Sequence, residues 1–135
     1  MTASSVGFRG RRVLIAEDEY LLASKMVEEL AKLGVETIGP ASTVKRALDL
    51  VEHCGPLDAA MLDIKLRNEM IFPVADALRA RGVPFVFTTG YNQKIIPDGY
   101  KDVVRYEKPF DVAEVARVVG DAARRRQERT PRDSR

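Results

Sequence analysis

Cysteine and histidine are almost absent from this chain, and each scarcity excludes a class of chemistry. The single cysteine, Cys54, cannot form an internal disulfide. With the single histidine, His53, beside it, the pair falls far short of a zinc constellation. No stretch approaches the ~20 apolar residues that a membrane-spanning helix needs, and residues 1–10 lack the apolar core of a secretory signal. A reducing cytoplasm without membrane insertion is therefore the expected setting. Charge of one sign is also scarce: the net is only +2 over 135 residues. That figure conceals an asymmetry, because residues 124–135 hold six arginines against Glu128 and Asp133, a net of +4 that leaves residues 1–123 at about −2. The basic end has no aromatic residue for base stacking and no recognisable reading motif, which disfavours nucleic acid as a partner.

What is present is an alternation of short apolar runs with helical patterns, the signature of βαβ units around a parallel sheet. At 45% hydrophobic content the chain has enough apolar material for one core, and its length leaves no room for a second domain. Residues 1–10 are expected to be a flexible N-terminus, 11–122 the domain, and 123–135 a basic, disordered tail. Val13-Leu14-Ile15-Ala16 reads as the first strand. Leu22, Met26, Leu30 and Leu33 then repeat at helical spacing before Gly34, with Tyr20 and Leu21 read as helix packing. Val35 to Ile38 makes a second strand, and Ser42 is the expected N-cap of a helix that Gly55-Pro56 stops. A third strand runs from Ala59 into Asp63. Pro73 suits the first turn of the next helix, Gly82 follows its end, and Val83 to Phe87 supplies a fourth strand. Residues 91–99 are too broken by Pro97 and Gly99 for a regular helix. A fifth strand near Val103 to Tyr106 leads to a last helix, opened by the capping box Asp111…Glu114.

The chemistry-bearing residues fall where these strands end. Glu17 and Asp18 follow the first strand and Asp63 closes the third, at the edge where open α/β sheets bind ligands. Carboxylates crowded together raise one another's pKa unless a cation lies between them. Oxygen-only donors favour a hard divalent ion such as Mg²⁺. Thr89 after the fourth strand and Lys108 after the fifth add a hydroxyl and an ammonium, which suit a phosphoryl group whose charge is spread over three equatorial oxygens. Thr88 is the competing hydroxyl; Thr89 shares a strand face with Phe85 and Phe87 and is preferred. Glu19 is assigned to the first helical turn, where its charge meets the positive end of the helix dipole.

At these residues, from Val13-Leu14-Ile15-Ala16-Glu17-Asp18-Glu19 to Lys108-Pro109-Phe110, residues 11–122 resemble the receiver domain of bacterial two-component response regulators. The resemblance implies a flavodoxin-like (βα)5 fold, a doubly wound five-stranded parallel sheet of order 2-1-3-4-5, here with a degenerate fourth helix. It implies that Asp63 is the phosphoacceptor, that Asp18 is a direct Mg²⁺ ligand, that Glu17 acts through water, and that the Lys65 backbone carbonyl completes the set. Thr89 and Lys108 are implied as contacts of the phosphoryl oxygens, and the Lys108-Pro109 peptide as cis. Phe87-Thr88-Thr89-Gly90-Tyr91 is similar to the stand-alone "FAT GUY" subgroup, several members of which serve general stress response. Receivers usually carry a switch aromatic three residues before the lysine, where this chain has Arg105. Tyr106 lies one residue later and so points to the opposite face, leaving Tyr91 and Tyr106 as switch candidates.

The resulting expectation is a stand-alone response regulator phosphorylated by a histidine kinase or histidine phosphotransfer protein, with output through contacts to a downstream protein. It is expected to catalyse only its own phosphorylation and dephosphorylation. A receiver-fold adaptor working without phosphorylation is the alternative. A haloacid-dehalogenase-type phosphatase is poorer, since Lys65 stands where its second aspartate belongs. A flavodoxin-like cofactor binder would need donors, not Glu17-Asp18, for an anionic phosphate.

Overall fold

Alternating apolar segments build the expected β/α order, described for residues 8–90 and 96–129 of a computed structural model. In chain order the elements are β1 (Arg12–Ala16), α1 (Tyr20–Lys32), β2 (Glu36–Ala41), α2 (Val44–His53), β3 (Ala59–Asp63), β4 (Lys65–Leu66), β5 (Glu69–Met70), α3 (Phe72–Ala80), β6 (Phe85–Thr89), β7 (Arg105–Glu107) and α4 (Val112–Arg129). Five strands form one sheet in the order β2-β1-β3-β6-β7, and every neighbouring pair is parallel. Counted on the sheet alone, that is the 2-1-3-4-5 order of the flavodoxin-like fold. β4 and β5 form a separate antiparallel ribbon. Among the described residues the chain between β6 and β7 holds only a short 3-10 turn, Asp98–Tyr100.

Strand side chains alternate between faces, so the sheet divides the interior into two cores. Leu14, Leu62 and Phe87 pack with Val44, Val51, Val74 and Leu78 of α2 and α3. Val13, Ile15, Met61 and Val86 pack with Met26, Leu30, Val115 and Val119 of α1 and α4. β3 is buried along its whole length because both cores meet on it. Each large apolar side chain enclosed this way stabilises the fold by about 1.5–3 kcal/mol.

Several boundaries differ from those expected. β2 runs past Ile38 to Ala41 through a cis Gly39-Pro40 peptide and a register shift against β1. Gly39 has φ +97, and a Cβ there would lie 2.8 Å from Ile15 O. Thr43 caps α2, accepting from Arg46 N at 3.1 Å, in place of Ser42. β6 begins at Phe85 and β7 at Arg105, each two residues later than the apolar runs indicated. Tyr20 and Leu21 are 81% exposed, so they do not pack the helix. Phe8, placed by sequence in a loose N-terminal segment, is buried in the α1/α4 core. α4 continues beyond residue 122 to Arg129, with Ala123 buried and Arg126 bonded to the carbonyls of Gly82 and Arg81. Residues 130–135 lie outside the described residues.

Candidate functional site

β1, β3 and β7 deliver their chemistry to one edge of the sheet. The end of β1 is fixed by a hydrogen bond from Glu17 N to Ala41 O (2.9 Å). The end of β7 is fixed by Lys108 N donating to Thr89 O (2.9 Å), and the Lys108-Pro109 peptide is cis. Glu17, Asp18 and Asp63 thus gather with one oxygen each inside 4.8 Å of the others. The Lys108 ammonium donates to Asp63 Oδ2 at 2.8 Å, Glu17 Oε2 at 3.1 Å and Glu19 Oε2 at 2.8 Å. Asp63 Oδ1 also accepts from Lys65 N at 3.2 Å, and Asp18 Oδ2 from Arg67 N at 2.7 Å.

Three carboxylates, those of Glu17, Glu19 and Asp63, therefore share one ammonium. Burial, reinforced by the charge of Asp63, pushes the Glu17 carboxyl up to about 7, despite the Glu19 N–H and Lys108 nearby. Burial works against the Lys108 charge, but its hydrogen bonds to Asp63 and Glu19 outweigh this and hold its pKa above the ordinary lysine range. Glu17 Oε1 is enclosed and has no hydrogen-bond partner. A buried carboxylate oxygen without a donor is costly unless a cation meets it. The donors are all oxygen and lie within 4.8 Å of one another, close enough for one hard divalent ion to reach all three. The residues present fit Mg²⁺.

The structure brings together Glu17, Asp18, Asp63 and Lys108, with Lys65 attached through its main chain and its side chain exposed. Thr89 is buried and its hydroxyl donates to Gly90 O at 3.0 Å. Thr88 is directly paired with Asp63 in the sheet, and its buried hydroxyl has no partner. Tyr106 is paired with Thr88 and packs on Phe110 in the α1/α4 core, the face opposite Phe87 and Thr89, while Arg105 is exposed. Tyr91 lies outside the described residues.

Two contributors escaped the sequence. Glu19 binds Lys108 and forms no side-chain cap on α1, where a dipole role had been expected. Arg67 supports Asp18 from 49 residues away through a backbone N–H, a contact that leaves no side-chain signature. A groove of about 490 Å³ lined by Glu19, Leu22, Gly90, Lys108, Pro109 and Phe110 opens beside the cluster. Another groove, of about 710 Å³, lies on α2 away from these carboxylates and carries no comparable chemistry. His53 and Cys54 remain an isolated pair, His53 facing Asp49 at 3.8 Å and Cys54 Sγ facing Gly55 O at 3.6 Å.

A doubly wound sheet whose carboxyl edge carries three close carboxylates and a bonded lysine places the molecule among flavodoxin-like domains with an acidic pocket at the switch point. No family model matches the sequence. The chain is similar to SdrG from Sphingomonas melonis Fr1, whose solution structure is 37% identical, covers 86% of this chain and 97% of that one, and superposes with a TM-score of 0.71. A second SdrG structure is of the BeF3-activated conformation, with a TM-score of 0.66. The transcriptional regulatory protein PdtaR of Mycobacterium tuberculosis is 31% identical over 109 residues, 78% of this chain and 53% of PdtaR. The chain thus spans about half the length of the curated relatives it matches. A response regulator receiver protein from Sinorhizobium medicae WSM419, 20% identical over 87% of this chain and 97% of that one, shares the fold with a TM-score of 0.71. The chain belongs to the response-regulator receiver family.

Proposed function

We propose that Asp63 accepts a phosphoryl group from a phosphohistidine of a histidine kinase or histidine phosphotransfer protein, and that the modified domain signals by contacts with a downstream protein. The observation that carries this is the Lys108 ammonium at 2.8 Å from Asp63 Oδ2, inside a carboxylate cluster with one orphaned oxygen. In the reaction a carboxylate oxygen of Asp63 forms a bond to phosphorus while the phosphorus–nitrogen bond of a phosphohistidine protonated at its other ring nitrogen breaks, leaving an acyl phosphate on Asp63 and a neutral imidazole on the donor. Lys108, already charged, pairs with the phosphoryl oxygens without a proton transfer. Glu17, Asp18 and Asp63, with the Lys65 carbonyl, would hold Mg²⁺, which supplies neutralisation of the phosphoryl charge. The Thr89 hydroxyl, bonded to its neighbour's carbonyl, would turn toward the new group.

The domain acts only on itself in this reading, with residues 11–122 as the receiver and Tyr91 and Tyr106 as candidate switch residues. Among the described residues no helix is long and apolar enough to cross a membrane, and a cytoplasmic setting is part of the same reading. The relative SdrG adopts a BeF3-activated conformation, which supports a phosphorylation-dependent state here as well.

Incubation with Mg²⁺ and acetyl phosphate tests the proposal. Wild type is expected to gain a hydroxylamine-labile phosphoryl group by mass spectrometry, and Asp63→Asn none. Absence of any adduct on wild type with acetyl phosphate or a phosphohistidine donor would favour the adaptor that works unphosphorylated.

A further inference from the structure

We propose that Arg67 is a positioning residue for the divalent cation: its main-chain N–H, presented by a left-handed backbone, pre-orients the Asp18 carboxylate. The proposal rests on the Mg²⁺ reading above. Among the described residues Arg67 is the only residue other than glycine with a positive φ, +56. It opens the two-residue turn Arg67-Asn68 between the paired residues Leu66 and Glu69. Turns with positive φ at that position take glycine by preference, because a Cβ is crowded there. A strained residue at a candidate site is grounds for seeking a role.

The strain delivers two contacts. Arg67 N reaches Asp18 Oδ2 at 2.7 Å, short for such a bond. The side chain turns instead to the end of β2, Nε donating to Ser42 O at 3.3 Å and Nη2 to Ser42 Oγ at 3.5 Å. Ser42 follows Ala41, whose carbonyl holds Glu17 N. Arg67 therefore ties the β4–β5 ribbon both to the segment that carries the acidic pair and to the end of β2 beside it. A backbone N–H suits this task, because it orients a carboxylate without adding a positive charge that competes with the ion. The guanidinium, engaged at Ser42, stabilises the left-handed conformation. Fixing Asp18 before the ion arrives removes an ordering cost from binding.

Arg67→Ala and Arg67→Gly separate this role from the charge of the side chain. Both remove the guanidinium and its Ser42 contacts, and they differ in the ease of reaching φ +56. Titration calorimetry of Mg²⁺ into the metal-free full-length chain is expected to show the glycine variant binding about fivefold more tightly than the alanine variant. In NMR spectra of wild type, the Arg67 amide proton is expected downfield and moving upfield in Asp18→Asn. Equal Mg²⁺ affinities for the two variants would overturn the proposal, as would an Arg67 amide indifferent to Asp18→Asn should either variant fail to fold. Absence of Mg²⁺ binding by wild type would instead remove the metal reading on which it rests.

Discussion

At the carboxyl ends of the strands, Glu17, Asp18, Glu19 and Asp63 crowd around the single ammonium of Lys108. At the opposite ends, arginines meet the carbonyls where helices and turns stop. Arg126 donates to Gly82 O at 3.1 Å and Arg81 O at 3.2 Å, and Arg12 donates to Pro56 O at 2.6 Å while its Nε forms an ion pair with Glu36 at 3.6 Å. Cations there meet carbonyls near the negative ends of helix dipoles, which balances these arginines within the fold. The acidic end lacks that balance: Glu17 titrates near 7 and one of its oxygens is orphaned. Charge that the fold satisfies is structure. Charge left in excess at a buried edge is readiness for something that comes from outside.

That contrast can be broken by substitution. The largest effect on stability is expected at Gly39, whose backbone places β2 against the acidic end. A Cβ would lie 2.8 Å from both Ile15 O and Ala41 N at φ +97, so Gly39→Ala should cost on the order of 3 kcal/mol in urea unfolding. A neutral result would mean that the turn around Pro40 relaxes freely.

Next comes Glu17→Gln. A carboxyl raised from 4.5 to about 7 contributes stability that is fully present below pH 4.5 and lost as the pH rises to about 7. The metal-free variant should therefore be more stable than wild type above pH 7, by on the order of 2 kcal/mol, and lose that pH dependence. Mg²⁺ affinity of wild type should rise with pH up to about 7, with release of a proton on binding, and then level off. Thermal unfolding in EDTA and calorimetry in two buffers check both. Wild type more stable than the variant throughout would show that the acidic end is balanced after all.

The smallest effect belongs to the far end. Arg126→Ala removes two hydrogen bonds and should cost about 1 kcal/mol while leaving acetyl phosphate labelling of Asp63 unchanged. Altered labelling would show that the two ends are coupled.

The element order and most of the site were legible because their signals are local. Apolar runs announce strands, and Glu17-Asp18, Asp63 and Lys108 directly follow them. The strand order came from the family resemblance, since spacing does not encode which neighbours pair. What escaped depends on contacts between distant segments. Val83 and Val103 look like strand residues but precede their strands, because sheet pairing, not hydrophobicity, sets where a ladder starts. Thr43 rather than Ser42 caps α2, because the backbone, not the residue type, decides which hydroxyl reaches Arg46 N. Tyr20 and Leu21 match a packed helix in composition, yet they sit at its exposed first turn. Arg67 acts through its main chain, where side-chain identity is silent.

Phe8 occupies a notch in α4: a Cβ on Gly120 would come within 3.1 Å of its ring. Glycine inside a helix gives up about 1 kcal/mol of propensity, a concession that admits the aromatic plug. The first described turn is thereby stapled to the last described helix, with Gly10 N also bonded to Gly34 O. Fraying at one extremity cannot proceed without loosening the other, so these sequence-distant segments melt as a single cooperative unit.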